Sequence, residues 1–196
     1  MRHLAEVGVY AGMSDHFVSE AVYLTDPDGL GIEVYADRPR SSWRAVERQL
    51  AMATEPLDVP SLLAEAGESA WDGAPAGTRI GHVHLYVRDI DQAAAFYHDG
   101  LGLDKVVWNY PGALFLSAGG YHHHLGTNTW AAGAALSTDD DARLIEWEIV
   151  LPSNADVAGV AESLEKGGFA VKRDGGDVVA RDPWGTQLRV VASSGQ

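Results

Sequence analysis

Hydrophobic and polar positions follow one cadence, strand–helix–strand–strand–strand, that runs twice between residues 80 and 193. Ile80 to Val87 alternates, which predicts a strand with His82, His84 and Tyr86 on one face and Val83, Leu85 and Val87 on the other. Asp89, with Gln92 three residues on, reads as a helix N-cap, and Ile90, Ala93, Ala94, Tyr97 and Leu101 follow at helical spacing until Gly100 and Gly102. Short strands are predicted near 104–108, 113–117 and 121–125. The cadence then restarts with a strand at 144–151, Ser153 as cap, and a helix carrying Val157, Val160, Ala161 and Leu164 on one side. Gly167-Gly168 stops that helix, and strands near 169–172, 177–181 and 187–192 complete the unit.

The N-terminal part echoes the end of this unit. Asp26-Pro27-Asp28-Gly29-Leu30-Gly31-Ile32-Glu33-Val34 returns as Asp182-Pro183-Trp184-Gly185-Thr186-Gln187-Leu188-Arg189-Val190, and Leu4, Gly8 and Val9 match Leu164, Gly168 and Phe169. A strand over 17–24, an Asp-Pro turn and a strand through Ile32–Tyr35 are predicted. Almost nothing precedes this first copy, so the chain reads as starting in the middle of a repeat. Between 37 and 79 the pattern weakens: Trp43 to Met52 predicts a short helix, Pro56 and Pro60 break it, Ser61-Leu62-Leu63 starts another, and Gly73 to Gly77 is connector. The expected organisation is a C-terminal remnant of a first module at 1–36, a linker with short helices at 37–79, and a complete second module at 80–193.

Composition narrows the possible chemistry. With 46% hydrophobic and 21% charged residues among 196, the chain is that of a globular protein. No apolar run approaches a membrane span and no signal core is evident, which predicts a cytoplasmic protein with no membrane role. The absence of cysteine removes disulfides, thiolate metal sites and a cysteine nucleophile. A net charge of −14 argues against nucleic acid as a partner. No phosphate-cradling glycine loop, Gly-x-Ser-x-Gly elbow or His-Glu-x-x-His helix is present.

What remains are histidines and carboxylates. His82 and His84 are expected on one strand face, as are His122 and His124, with His123 pointing the other way. Two such pairs on neighbouring strands could hold a divalent metal, for which imidazole is a favoured ligand; otherwise they form a hydrogen-bonded polar wall of a pocket. Glu33 points opposite to Ile32 and Val34: exposed if those two face a core, interior if the strand lines a barrel, where a carboxylate needs a cation or a proton. Glu146 and Glu148 carry the same ambiguity.

The doubled βαβββ unit ending in Asp-Pro-x-Gly resembles the vicinal oxygen chelate superfamily of glyoxalases, bleomycin- and fosfomycin-resistance proteins and extradiol dioxygenases. Three strings sharpen the resemblance to two-module catechol 2,3-dioxygenase-like proteins: Ser14-Asp15-His16-Phe17-Val18-Ser19-Glu20-Ala21-Val22-Tyr23-Leu24, Gly77-Thr78-Arg79-Ile80-Gly81-His82-Val83-His84-Leu85, and Ser117 to Trp130 with its Tyr121-His122-His123-His124 core. The implied fold is α+β, with paired βαβββ repeats forming a curled mixed sheet around a cavity.

The resemblance implies one Fe(II), or another divalent ion such as Mn(II), per module. Its ligands would be a histidine on the first strand of each repeat and a glutamate on the last. In 80–193 these positions fall on His82, Glu146 and Arg189, so that module reads as degenerate, with Glu146 and Arg189 available to pair. In 1–36 the glutamate falls on Glu33, while Tyr23 and His16 match residues near the substrate that hold ring oxygens and protons. His84, His122 and His124 are expected to line a pocket. The implied activity is extradiol cleavage of a catechol-type small aromatic molecule with O2, by a chain expected to be truncated. The alternative is a non-catalytic small-molecule binding protein of the resistance or sequestration type. Exposed half-module strands would tend to pair with another copy, so a homodimer is expected.

Overall fold

The computed structural model describes residues 1–67 and 70–193 and divides into two compact units, Met1–Ile80 and Gly81–Gln196. Among the described residues no helix is long and apolar enough to cross a membrane.

The first unit opens with a single helical turn, α1 (Arg2–Glu6), and a left-handed Gly8. A three-stranded antiparallel sheet follows: β1 (Gly12–Asp15), β2 (Ser19–Thr25) and β3 (Gly31–Asp37), in that order. The turn between β2 and β3 is built by Asp26, whose Oδ1 accepts the backbone N–H groups of Asp28 at 2.9 Å and Leu30 at 2.7 Å. The expected strand at 17–24 therefore starts two residues later, because Phe17 and Val18 make the hairpin connection.

The helix expected over Trp43–Met52 does not form. That stretch holds a 3-10 turn at Arg40–Ser42 and a small hairpin of β4 (Ala45–Val46) and β5 (Gln49–Leu50), with Glu47 and Arg48 both at positive φ. Here the local turn wins over a weak helix propensity. The helix expected to start at Ser61 begins earlier, as α2 (Val59–Ala66), with Pro60 inside its first turn, since the amide it lacks is one that no helix satisfies there. Asp58 caps that helix, accepting from Ser61 N–H at 3.0 Å.

The second unit carries the doubled cadence as two four-stranded sheets. Its elements are β6 (Val83–Tyr86), α3 (Ile90–Ala94) continuing into a π-helical segment Ala95–Gly100, β7 (Asp104–Val107), β8 (Ala113–Ser117), β9 (Leu125–Asn128), β10 (Glu146–Leu151), α4 (Asn154–Lys166), β11 (Val171–Asp174), β12 (Asp177–Arg181) and β13 (Gln187–Ala192). One sheet has the order β6-β9-β8-β7 and the other β10-β13-β12-β11. In each, the first strand lies parallel to the last of its repeat and the others are antiparallel. The predicted caps are present: Asp89 accepts from Gln92 N–H at 2.8 Å and Ser153 from Asp156 N–H at 3.3 Å.

A single apolar core runs through both repeats, with Leu85, Val87, Leu114, Leu116 and Leu125 from one sheet and Val178, Ala180, Leu188 and Val190 from the other. Phe96 and Tyr97 from the π-helical segment and Val157, Ala161 and Leu164 from α4 fill it. Gly100 allows the two helices to meet, since a Cβ there would lie 2.7 Å from Leu164 Cδ2. Asp182 builds the second Asp-Pro turn as Asp26 builds the first, and its remaining oxygen accepts from the buried Tyr97 hydroxyl at 2.8 Å. Burial, reinforced by Asp182, pushes the Tyr97 phenol well above its ordinary value.

Two strand assignments move. The strand expected at 121–125 begins only at Leu125, because Gly119 and Gly120 both adopt left-handed φ and turn the chain before it enters β9. The strand expected from Ile80 begins at Val83, which leaves His82 just outside β6.

Candidate active site

In the first unit, β1, β2 and β3 align Gly12, Tyr23 and Glu33 directly across the sheet. Residues two apart share a face, so Ser14, Ala21 and Tyr35 continue the same side. This is the more covered side: Ser14, Ser19 and Ala21 are buried. The apolar positions Ile32 and Val34 stand on the opposite face, 45% and 56% exposed. The equivalent Leu188 and Val190 in the second unit are 1% and 0% exposed beneath its helices. Glu33 thus lies on the face opposite Ile32 and Val34, but those two residues are not in a core and β1–β3 form an open sheet, so neither of the two expected settings is met.

Tyr23 O–H donates to Glu33 Oε1 at 3.0 Å, and the Tyr23 hydroxyl oxygen also meets His16 Nε2. The other imidazole nitrogen, Nδ1, lies 2.5 Å from the carbonyl oxygen of Ala53. A carbonyl only accepts, so Nδ1 carries a proton and Nε2 is the nitrogen turned to the phenol. One phenol proton cannot serve both neighbours. Filling both contacts takes one further proton, carried on His16 Nε2 or on Glu33, so the line Ala53–His16–Tyr23–Glu33 can hold and pass a proton.

His16 is placed by the hairpin tip that follows β1. Arg38 grips Asp15 through two hydrogen bonds of 2.5 and 2.8 Å and reaches Glu20 at 2.9 Å. Hydrogen bonding to Arg38 holds the Asp15 carboxyl below its ordinary range, and burial works against this. Neither Arg38 nor Ala53 stood out in the sequence. They lie 23 and 37 residues from the groups they serve, and no spacing rule connects them.

In the second unit the histidines do not form the two same-face strand pairs expected. His122, His123 and His124 lie in the turn before β9, so alternation does not govern them. His122 Nδ1 contacts His123 Nδ1 at 2.8 Å, and the His82 and His123 rings are 4.2 Å apart, so His82, His122 and His123 cluster. His124 turns away: its Nδ1 accepts from Ala118 N–H at 3.2 Å and lies 3.0 Å from Ser117 Oγ. His84 leans over Gly126, where a Cβ would come within 2.9 Å of its Nε2, and neighbours Phe115 and Trp130.

Glu146 is committed to an ion pair. Its Oε1 accepts from Arg189 Nε at 3.0 Å and its Oε2 from Gln187 Nε2, and Arg189 Nη1 also meets Asp177 and Asp174 at 3.3 and 3.5 Å. The Gln187 amide first, and Arg189 second, hold the Glu146 carboxyl below its ordinary range.

These donor sets do not fit a complete divalent-metal centre. Among the described residues no three His, Asp or Glu side chains are arranged to hold an ion. Glu33 has Tyr23 as its neighbour, both His16 nitrogens are engaged, and Glu146 faces a guanidinium, which opposes a cation.

Residues 79–190 match the family described as the Glyoxalase/Bleomycin resistance protein/Dioxygenase superfamily. The chain is 44% identical over 187 residues to a catechol-2,3-dioxygenase of Bacillus subtilis (strain 168). That match covers 93% of this chain and 65% of the relative, so the chain spans just under two thirds of its length. Among solved structures, a glyoxalase/dioxygenase from Nostoc punctiforme superposes with a TM-score of 0.50 at 13% identity, covering 62% of this chain and 97% of that one. A lactoylglutathione lyase from Agrobacterium tumefaciens gives 0.46 at 21% identity, over 61% and 96%. The family match spans most of the second unit and agrees with its paired βαβββ topology: the chain belongs to the glyoxalase/bleomycin resistance protein/dioxygenase superfamily.

Proposed function

We propose that the first unit supplies one wall of an extradiol ring-cleavage site acting on a catechol-type aromatic with O2. The observation that carries this reading is the hydrogen-bonded line from His16 through Tyr23 to Glu33 along one side of the first unit's sheet. A catechol presents two adjacent hydroxyls, and a phenol, an imidazole and a carboxylate in a row can orient those oxygens and take up or return their protons. The relative named a catechol-2,3-dioxygenase supports the substrate class. Ring cleavage puts both atoms of O2 into the product and consumes no external reductant. An Fe(II) or Mn(II) ion at Glu33 would need further donors besides that carboxylate, which a longer polypeptide or a second copy could bring. His84, His122 and His124 have structural contacts in the second unit, and their pocket role belongs to the alternative reading.

That alternative is a non-catalytic binding protein, and the Arg189–Glu146 pair favours it for the second unit, since a guanidinium occupies the sequence position where the resemblance implies a carboxylate ligand. Oxygen uptake by the purified chain, given Fe(II) anaerobically and then catechol and air, separates the two. Catechol-dependent uptake that Glu33→Gln abolishes supports the dioxygenase reading. Catechol binding that persists in a chelator, with no uptake, supports the binding-protein reading.

A further inference from the structure

The segment that leaves β3 at Arg38 comes back to Asp15, the residue beside His16, so both of its ends close on one position. At the near end the Asp15 carboxylate accepts from Arg38 at 2.5 and 2.8 Å. At the far end Asp15 N–H donates to Glu55 O at 2.9 Å and Glu55 N–H donates to Asp15 O at 3.0 Å, an isolated antiparallel bridge. The stretch between is braced within itself. Trp43 Nε1–H donates to Arg38 O at 3.0 Å, and Ala51 N–H donates to Arg44 O at 2.8 Å where the β4–β5 hairpin closes. Just before the bridge, Ala53 O lies 2.5 Å from His16 Nδ1. The bridge therefore sets which ring nitrogen of His16 faces a carbonyl. A free imidazole favours its proton on Nε2. Here that form would set the Nδ1 lone pair against the Ala53 oxygen, two acceptors at hydrogen-bond distance, so the carbonyl excludes it.

We propose that residues 38–55 are a positioning loop, closed on Asp15, that fixes the tautomer of His16. Glu55 acts through its backbone amide and Arg38 through its grip on Asp15; both work by way of Ala53 O and His16. The consequence for the chemistry rests on the catechol reading of the site. With Nδ1 already protonated, Nε2 is the one ring position able to take a proton from the Tyr23 hydroxyl, or from a catechol hydroxyl beside it. In that step the O–H bond breaks as the Nε2–H bond forms, leaving an imidazolium and an oxyanion. A loop that fixes the ring beforehand spares the site from sorting tautomers when the ligand arrives.

The test reads the ring protons directly, by long-range nitrogen–proton NMR correlation on histidine-labelled protein at about pH 8, above the ordinary histidine range. His16→Gln identifies the His16 signals among the eight histidines. Wild type should carry the proton on Nδ1. Glu55→Pro removes the bridging amide, whereas Glu55→Ala trims only an exposed side chain and keeps that amide. The proline variant should shift His16 to the Nε2–H form and the alanine variant should not. Arg38→Met opens the other end of the loop and should shift His16 the same way; it decides the matter if the proline variant does not fold. An Nδ1 without a proton in wild type, or Nδ1–H retained in every folded loop variant, overturns the proposal. The variants that shift should also bind 4-nitrocatechol about two- to tenfold more weakly, the worth of one misplaced hydrogen bond. Unchanged affinity in a shifted variant overturns the link from loop to ligand. A wild type with its proton on Nδ1 that binds no 4-nitrocatechol upholds the loop and overturns the catechol reading.

Discussion

At the scale of residues, the Arg38–Asp15 pair links stability to the site. Asp15 is held below its ordinary range in the folded chain by hydrogen bonding to Arg38. A carboxyl with a depressed folded-state value stabilises the fold above its unfolded value, and that contribution is lost as pH falls through the folded one. Thermal unfolding should therefore show wild type losing stability on acidification below the ordinary aspartate range, and Arg38→Met, destabilised by about 1–2 kcal/mol at neutral pH, losing less there. Equal acid sensitivity in both would show that the clamp is not what tunes Asp15. The residues themselves were partly legible: His16, Tyr23 and Glu33 could be picked out, and they do converge. Ala53 contributes a backbone oxygen, which no side-chain pattern reports.

At the scale of elements, the internal repeat sets up a comparison within one chain. Ile32 and Val34 in β3 correspond to Leu188 and Val190 in β13, yet the first pair is exposed and the second lies in the core. Val190→Ala should cost about 1–3 kcal/mol in denaturant unfolding, whereas Val34→Ala should stay within about 0.5 kcal/mol. Matching costs at the two positions would mean that β3 is covered in solution. Gly100→Ala should also destabilise the second unit, since the added Cβ would lie 2.7 Å from Cδ2 of the buried Leu164. The doubled unit was well announced by its capping residues, glycine stops and alternating strands, all short-range signals. The hairpin at 45–50 and the turn at 121–124 were not, because left-handed residues at Glu47, Arg48, Gly119 and Gly120 reverse the chain where side-chain periodicity suggests continuity.

At the scale of the whole molecule, the two units differ in how they are stabilised and in the chemistry they offer. Every residue of the large apolar cluster lies between Val83 and Ala192. A fragment covering 81–193 should therefore unfold cooperatively and near the temperature at which that unit melts in the full chain; a non-cooperative transition would show that it depends on the first 80 residues. The second unit presents a pairing of Glu146 with Arg189 and a cluster of His82, His122 and His123, and the first presents the His16–Tyr23–Glu33 line. The central claim places the catechol in the first unit. Parallel titrations of 4-nitrocatechol into Tyr23→Phe and His84→Ala, against wild type, test that placement most directly. Binding weakened by Tyr23→Phe and unchanged by His84→Ala is the expected result. Binding weakened by His84→Ala and unchanged by Tyr23→Phe would put the ligand in the second unit and contradict the placement.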